Sequence, residues 1–432
     1  MLFKNITILD ENLDVKKNMY VGTTGEKITY ISSEEPKAQD GNFGETYDGK
    51  GKLLMSGFYN IHAHSPMTLL RGYGEGLALQ DWLTKKVFPF EDKLTPSAVY
   101  WGTLLAMAES IRFGIVSTSD MYYFCDDMAR AIDESGAKDN IARGITNFSG
   151  TPFWDMTAAK EMKQLFETHD GSAGGRIKVD VSLHAEYTND EQTARGIAEY
   201  AKEVGTSVHV HVSETKKEHE ECKARHGGMT PVQFLNSTGL FDTPSIAAHC
   251  VWLEGEDFDI LKEKNVTVAS NPISNLKLAS GVCNVPELLR RGINVGIGTD
   301  GPSSNNSLNF IEEMKVFAIA SKERYGDPTA ITTKEAIFAA TAAGAKAQRR
   351  DDCGSLKKGN RADLIVIDLN QPHMHPVHDL TYNLVYSASG SDVVLTMSDG
   401  KVLYQNGEFK TIDLEKAVFE AERETAKILS QL

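Results

Sequence analysis

Apolar residues recur along the chain with two different rhythms. Near the N-terminus, LFKNITIL (2–9) and KITYIS (27–32) alternate apolar and polar positions on either side of a turn-rich stretch at Gly22 to Gly25. A period of two is the mark of small antiparallel strands. The far end repeats it in ADLIVIDL (362–369) and DVVLTMSDGKVLYQNGEF (392–409), the latter carrying Asp399-Gly400 as a hairpin turn. Neither end can bury a core alone, so the pattern predicts one small β-sandwich domain stitched from residues 1–56 and 354–432. Helical spacing over Leu414 to Leu432 predicts a closing helix.

Between these ends the rhythm changes to short, uninterrupted apolar strands, each followed by a helical segment. Eight such strands can be counted: GFYNIHA from 57, GIVSTSD from 114, NIARGIT from 140, IKVDVSLHA from 177, TSVHVHV from 206, SIAAHCV from 245, VTVAS from 266 and INVGIGTD from 293. The intervening VYWGTLLAMAESIRFG and ARGIAEYAKEVG show apolar faces and end at Gly. Eight such units over residues 57–353 predict an α/β fold, a (β/α)8 TIM-type barrel with its active site at the carboxyl ends of the strands. A doubly wound sheet is the second architecture the pattern allows. The absence of a fixed-period repeat argues against solenoids and propellers.

Composition narrows the function classes. With 45 Lys+Arg against 60 Asp+Glu, the 432-residue chain carries a formal net charge of -15, which opposes phosphate backbones and anionic membrane surfaces. Nucleic acid and membrane are therefore poor partners, and no stretch approaches the roughly 18 apolar residues of a bilayer span. The five cysteines are scattered, without a C-x-x-C pair, as expected of buried thiols in a reduced compartment. The N-terminus lacks the features of a secretory signal, and a cytoplasmic location is expected.

The barrel makes a demand on the chemistry: ligand-type residues should fall at strand ends. The first strand ends in His62-Ala63-His64, the fifth in His211-Val212-Ser213-Glu214, the sixth in His249 and the eighth in Asp300. Residues two apart on a strand share a face, so His62 and His64 can aim both imidazoles at one point. With His211 and Asp300 they offer three nitrogens and one oxygen, a set suited to one divalent ion, Zn2+ first, with Fe2+ or Mn2+ as alternatives. Glu214, just past the fifth strand, is placed to reach over such an ion and shuttle a proton, with Asp300 as its partner. Two roles stand open for His249: a hydrogen-bond donor to the attacking water or to developing negative charge, or a further histidine of the metal shell.

Other motifs fit less well. His184-Ala185-Glu186 has the H-x-E of nucleobase deaminases with cysteine-bound zinc but no P-C-x-x-C partner. The G-x-G-x-x-G run at 296–301 is followed by Pro302 and SSNNS, where a phosphate-binding helix would start, and reads better as small residues letting backbone approach the metal mouth. His373-Met374-His375 lies between prolines without a partner cluster, and His209, one layer below His211, reads as a packed interior residue. The fourth strand ends in His184, with Lys178 at its start, so no lysine is placed to bridge two metals, and a single ion is favoured.

GFYNIHAHSPMTLLRG, HVSETKKE, IAAHCVWL, VASNPISNLKLASG and GIGTDGPSSNNSLN together resemble the amidohydrolase superfamily. Within it they resemble the branch of 5'-methylthioadenosine/S-adenosylhomocysteine deaminases and triazine chlorohydrolases. The resemblance spans nearly the whole chain, including the split β domain. It implies a mononuclear metal site of His62, His64, His211 and Asp300, with Glu214 as proton shuttle and His249 assisting the attacking water. It further implies that water adds to the purine carbon bearing the amine, Glu214 protonates the adjacent ring nitrogen, and Asp300 passes the water proton to departing ammonia.

For the substrate, DWLTKKVFPFEDKL resembles the adenosine-deaminating members, which implies that Trp82 packs on the ligand and Glu91 binds ribose hydroxyls. Arg143 and His184 match substrate-binding positions at the third and fourth strand ends. GITNFSGTPFW, after Arg143, lacks the second arginine that some homocysteine-binding members carry. The expected activity is therefore deamination of adenosine derivatives: 5'-methylthioadenosine, S-adenosylhomocysteine, adenosine or 5'-deoxyadenosine. Hydrolysis of guanine, pterin or triazine rings on the same site is the alternative, and a binding protein without catalysis would have no need of Glu214. A homo-oligomer is implied by the resemblance alone.

Overall fold

A computed structural model describes all 432 residues. The eight central strands are β1 (Phe58–Ala63), β2 (Ile115–Tyr122), β3 (Lys138–Arg143), β4 (Ile177–Ala185), β5 (Val208–Val212), β6 (Ser245–His249), β7 (Thr267–Ser270) and β8 (Val295–Ile297). Each pairs in parallel with its sequence neighbour in one sheet. The sheet closes where the backbone N–H of Asp300 donates to the carbonyl of His62 (2.9 Å), in a parallel bridge between Ala63 and Asp300. The closure thus sets the His62-Ala63-His64 and Asp300 segments side by side. β8 is shorter than its apolar run suggests: its regular pairing ends at Ile297, and Asp300 lies in the loop beyond.

Helices cover the outside because their apolar faces need the sheet. Pro96–Arg112 is started by the Thr95 hydroxyl, which accepts from the backbone N–H of Ala98, with Pro96 at the first helical position where no N–H is needed. Glu191–Val204 buries Ala194, Ile197, Ala198 and Ala201 and stops at Gly205, whose φ of 70° ends a helix without strain.

The two termini build a second sheet of nine strands, mostly antiparallel, eight of them in one hydrogen-bonded path in which Lys52–Ser56 pairs with Leu364–Asp368, and the ninth, Thr46–Asp48, paired beside Leu2–Leu9. Its own core contains Phe3, Ile6, Ile8, Val21, Leu54, Leu364, Val366 and Leu395. The barrel is tied to it by a buried ion cluster, in which the Lys138 ammonium contacts the carboxylates of Asp363 and Asp399, and the Tyr59 hydroxyl donates to Asp363 at 2.7 Å. The Lys138 charge holds Asp363 down at about 2 against the opposing effect of burial. The closing helix runs over Leu414–Leu429. No helix is long and apolar enough to cross a membrane.

Candidate metal centre and cavity

The strand ends do converge. His62 is fully buried, and His64, His211, His249, Glu214 and Asp300 are each less than a tenth exposed. Oδ1 of Asp300 lies 3.4 Å from Nε2 of His62 and 3.3 Å from Nε2 of His64. Nε2 of His64 and Nε2 of His211 face each other at 3.2 Å. Backbone partners decide what those nitrogens carry. The Nδ1–H of His64 donates to the carbonyl of Met121 (2.7 Å), and that of His211 to the carbonyl of His184 (2.6 Å). A carbonyl can only accept, so each neutral ring keeps its proton on Nδ1 and a bare lone pair on Nε2. Two lone pairs at 3.2 Å repel unless a proton or a metal ion lies between them. Nε2 of His62 is also buried with no hydrogen-bond partner. Two bare imidazole nitrogens, the unpartnered Nε2 of His62 and one carboxylate oxygen, gathered within a few ångströms, fit a divalent metal ion.

The remaining oxygen of Asp300 is held separately. The hydroxyls of Ser274 and Ser304 donate to Oδ2 at 2.6 and 2.8 Å. Although burial opposes it, the adjoining imidazoles of His62 and His64 hold Asp300 well below the usual carboxylate range. Both serine segments hang on Glu313, whose carboxylate accepts from the backbone N–H of Ile273 (2.9 Å) and from Nδ2 of Asn305 (2.7 Å).

Glu214 sits beside this cluster. Its Oε2 is 3.8 Å from Nε2 of His249, and its Oε1 accepts from the Ser280 hydroxyl at 3.3 Å. Burial raises its proton affinity, partly offset by His249, the direction a proton shuttle needs. Its backbone is clamped by Glu218, which accepts from the N–H of Ser213 (2.9 Å) and of Glu214 (2.7 Å) while completing the cap of helix Lys216–Arg225. His249 donates through Nδ1 to Oδ1 of Asn275 at 2.9 Å. Its ring lies near the ligands, in a group with His62 and His211, as well as near Glu214, so both roles considered for it are within reach. Ser213, His249 and Asp300 all adopt positive φ (48°, 72° and 59°). Left-handed backbone costs non-glycine residues of order 1–3 kcal/mol and gathers at functional sites.

The glycines of the 296–301 run serve close approach. A Cβ on Gly298 would meet Oδ1 of Asn271 at 2.2 Å and Cβ of His62 at 2.7 Å. The other motifs set aside are occupied elsewhere: Glu186 pairs with Arg225 and His226 (2.5 and 2.7 Å), and His373 with Asp392 (2.7 Å). All five cysteines are free and buried.

A cavity opens from the metal cluster. Trp82, Leu79, Leu83, Val87 and Phe88, on the segment after β1, give it an apolar wall; His184 and Tyr187 line it from the end of β4, and Glu91 lies at its outer margin. Burial pushes Glu91 up to about 7, offset in part by Tyr122. Beyond Glu91, Phe88 and Tyr123 the cavity continues into a wider cleft, where Arg143 lies among Asp92, Asp126, Asp127 and Glu161. Nε of Arg143 donates to Glu161 at 2.7 Å, and its guanidinium covers the Tyr123 ring at 4.8 Å. Trp82 and His184 are thus placed beside the cluster, Glu91 at the boundary and Arg143 outside it. Sequence reasoning passed over Tyr122, Ser274, Ser304 and Glu218. Tyr122, whose buried hydroxyl has no partner, ends β2 and was reachable by applying the strand-end rule there. Ser274 lies in the short helix Pro272–Lys277 and Ser304 in a turn, and neither carries such a signal.

Comparison with known proteins agrees with this architecture. Residues 53–403 match the model of the amidohydrolase family. Over 432 residues, covering 99% of both chains, the protein is 42% identical to the 5-methylthioadenosine/S-adenosylhomocysteine deaminase of Acetivibrio thermocellus. It is 39% identical to the 5'-deoxyadenosine deaminase of Methanosarcina mazei, over 97% of this chain and 95% of that one. Among solved structures, an adenosine deaminase from Xanthomonas campestris with bound zinc superposes with a TM-score of 0.92 at 30% identity, covering 99% of this chain and 98% of that one. With its barrel, its histidines and carboxylate at the strand ends and its split second sheet, the chain belongs to the amidohydrolase family.

Proposed function

We propose that the protein is a metal-dependent hydrolytic deaminase of adenosine derivatives, releasing ammonia and the inosine form. The observation that carries this reading is the buried set of His62, His64, His211 and Asp300 with Glu214 beside it, at the floor of a cavity whose outer margin holds Glu91. The relatives named as deaminases of methylthioadenosine, S-adenosylhomocysteine and 5'-deoxyadenosine support the same chemistry.

His62, His64, His211 and Asp300 would hold one metal ion, zinc by preference for their nitrogen-rich set. When bound, the metal supplies the Lewis acidity that makes water nucleophilic near neutral pH. The protein's own residues do the rest. Trp82 covers one face of the base, and His184 contacts its edge. Glu91 accepts hydrogen bonds from the ribose hydroxyls, setting the depth to which the purine enters. Glu214, with its raised proton affinity, protonates the ring nitrogen next to the amine-bearing carbon, so the electrons of the C=N bond have somewhere to go as water adds. Asp300 accepts one proton of the water and returns it to the departing amine, while the hydroxyl left on the carbon gives its proton to Glu214 as the carbonyl forms and ammonia leaves, restoring both groups. His249 hydrogen-bonds the attacking oxygen.

The outer cleft bears on the 5'-substituent. Its one arginine, Arg143, is already paired with Glu161, among three further carboxylates. That balance opposes the carboxylate of an amino-acid tail and favours small, uncharged substituents such as methylthio or hydrogen.

The test is ammonia release and the adenine-to-hypoxanthine absorbance change with 5'-methylthioadenosine, 5'-deoxyadenosine, adenosine and S-adenosylhomocysteine. It is run on metal-replete wild type and on Glu214→Gln. The variant should keep its metal and lose turnover by about 10²- to 10⁴-fold. No turnover of any of the four by the wild type would end this reading.

A further inference from the structure

The three histidine ligands proposed above are supported in two different ways. His64 and His211 each donate from Nδ1 to a backbone carbonyl. His62 has no carbonyl partner: its Nδ1 lies 2.8 Å from Nε2 of another imidazole, that of His209, with the rings edge to face at 74°. A carbonyl dictates the tautomer of its partner, whereas an imidazole can either donate or accept. The pair therefore has two neutral registers. In one, His209 carries its proton on Nε2 and donates to His62, which must then hold its own proton on Nε2, the nitrogen turned toward Asp300. In the other, the His62 Nδ1–H donates to a bare Nε2 of His209, and Nε2 of His62 is free. Only the second presents a lone pair to a metal.

We infer that His209 is a positioning residue for the metal centre, accepting the Nδ1 proton of His62 so that Nε2 of His62 is presented as a ligand. The inference rests on the metal reading given above. His209 is fully buried on β5, two residues before His211 on the same face, so one strand supplies both a ligand and the partner of a second ligand. The arrangement also has a cost. With Nε2 of His209 bare, its proton sits on Nδ1, a buried atom with no partner in the protein. A packed residue with no role would have no reason to hold a polar atom there. The free energy of metal binding offsets that cost and selects the second register over the first, so the two histidines should change tautomer together as the ion binds.

The experiment compares wild type with His209→Leu, which keeps most of the volume but cannot accept a hydrogen bond, and His209→Gln, whose amide oxygen can. Zn2+ affinity is measured by competition with a chromophoric chelator, and the ligand field by the visible spectrum of the Co2+-substituted proteins. His209→Leu should bind Zn2+ about 10- to 100-fold more weakly, with an altered Co2+ spectrum, and His209→Gln should recover most of the loss. Equal affinity and spectrum for His209→Leu and wild type would overturn the assignment. If wild type itself binds no metal, the metal reading falls and the role of His209 with it.

Should His209→Leu fail to fold, the tautomers are read directly from 15N spectra of histidine-labelled, zinc-loaded wild type, with His209→Gln assigning the signals. A protonated Nδ1 on His62 bonded to Nε2 of His209 is expected. An unprotonated Nδ1 on His62 would overturn the proposal.

Discussion

Ser274 donates its hydroxyl to Oδ2 of Asp300 at 2.6 Å, which leaves Oδ1 of the same carboxylate turned to His62 and His64. Ser304 adds a second donor to Oδ2 at 2.8 Å. The two oxygens of Asp300 are thereby given different tasks. A hydrogen bond to a charged group is worth about 1.5–3 kcal/mol, so Ser274→Ala, with Ser304 still in place, should lower kcat about tenfold. The double alanine variant should lose about 100-fold, read from steady-state ammonia release. A double variant with wild-type kcat would show that the carboxylate needs neither hydroxyl.

Metal should also govern stability. A ligand that binds only the folded state adds about 2.7 kcal/mol when present at 100 times its Kd. Thermal unfolding after chelation, followed by zinc replenishment, should show Tm fall and recover. Asp300→Ala should give a much smaller shift, because one of the four donors is gone. Equal shifts in the two proteins would remove Asp300 from the ligand set.

Glu91 gives the binding step a pH dependence. Burial places its ionisation at about 7, so below that pH it is a neutral acid and above it a carboxylate that only accepts. Ribose hydroxyls need the acceptor form. KM for 5'-methylthioadenosine should therefore fall as pH rises from about 6 to 8, and Glu91→Gln should flatten that dependence while raising KM. An unchanged profile in the variant would place the titration elsewhere.

The Lys138 cluster joins the two sheets. Both carboxylates it contacts, Asp363 and Asp399, come from the C-terminal part of the chain, and Lys138 and Asp363 have side chains only 1% exposed. Removing one partner of a buried ion pair leaves uncompensated charge and costs about 3–5 kcal/mol. Lys138→Ala should lose that much in chemical denaturation. Because Lys138 starts β3, at the end of the strand away from Arg143, the folded variant should keep its KM. A loss well under 1 kcal/mol would mean that the cluster does not hold the sheets together.

Much of this site is written locally. His62-Ala63-His64 needs only a strand to place two imidazoles on one face, and period-two alternation together with the eight apolar runs supplies that strand. Glu214 and Asp300 were reachable because barrel enzymes put their chemistry at strand ends. The residues that escaped notice act across long chain separations. Ser274 lies in a short helix, Pro272–Lys277, and its significance comes from facing Asp300, 26 residues later. His209 has the expected depth below His211, yet its partner His62 is 147 residues away. The tie between Glu186 and Arg225 spans 39 residues and takes the glutamate of the H-x-E motif out of the cavity, while its histidine, His184, lines it.

The sequence by itself determined the two rhythms of the fold, the strand ends that carry histidine and carboxylate, and the residue types that fit the proposed nitrogen-rich metal centre with a carboxylate beside it. These follow from periodicity and donor chemistry, which are properties of neighbouring residues. Closure of the barrel decided the rest: which carboxylate oxygen faces the histidines, which nitrogen of His64 and of His211 is bare, and that Arg143 stands in an outer cleft already paired with Glu161. A hydrogen bond's direction depends on the one group that lies opposite, and only the folded chain brings that group within 3 Å.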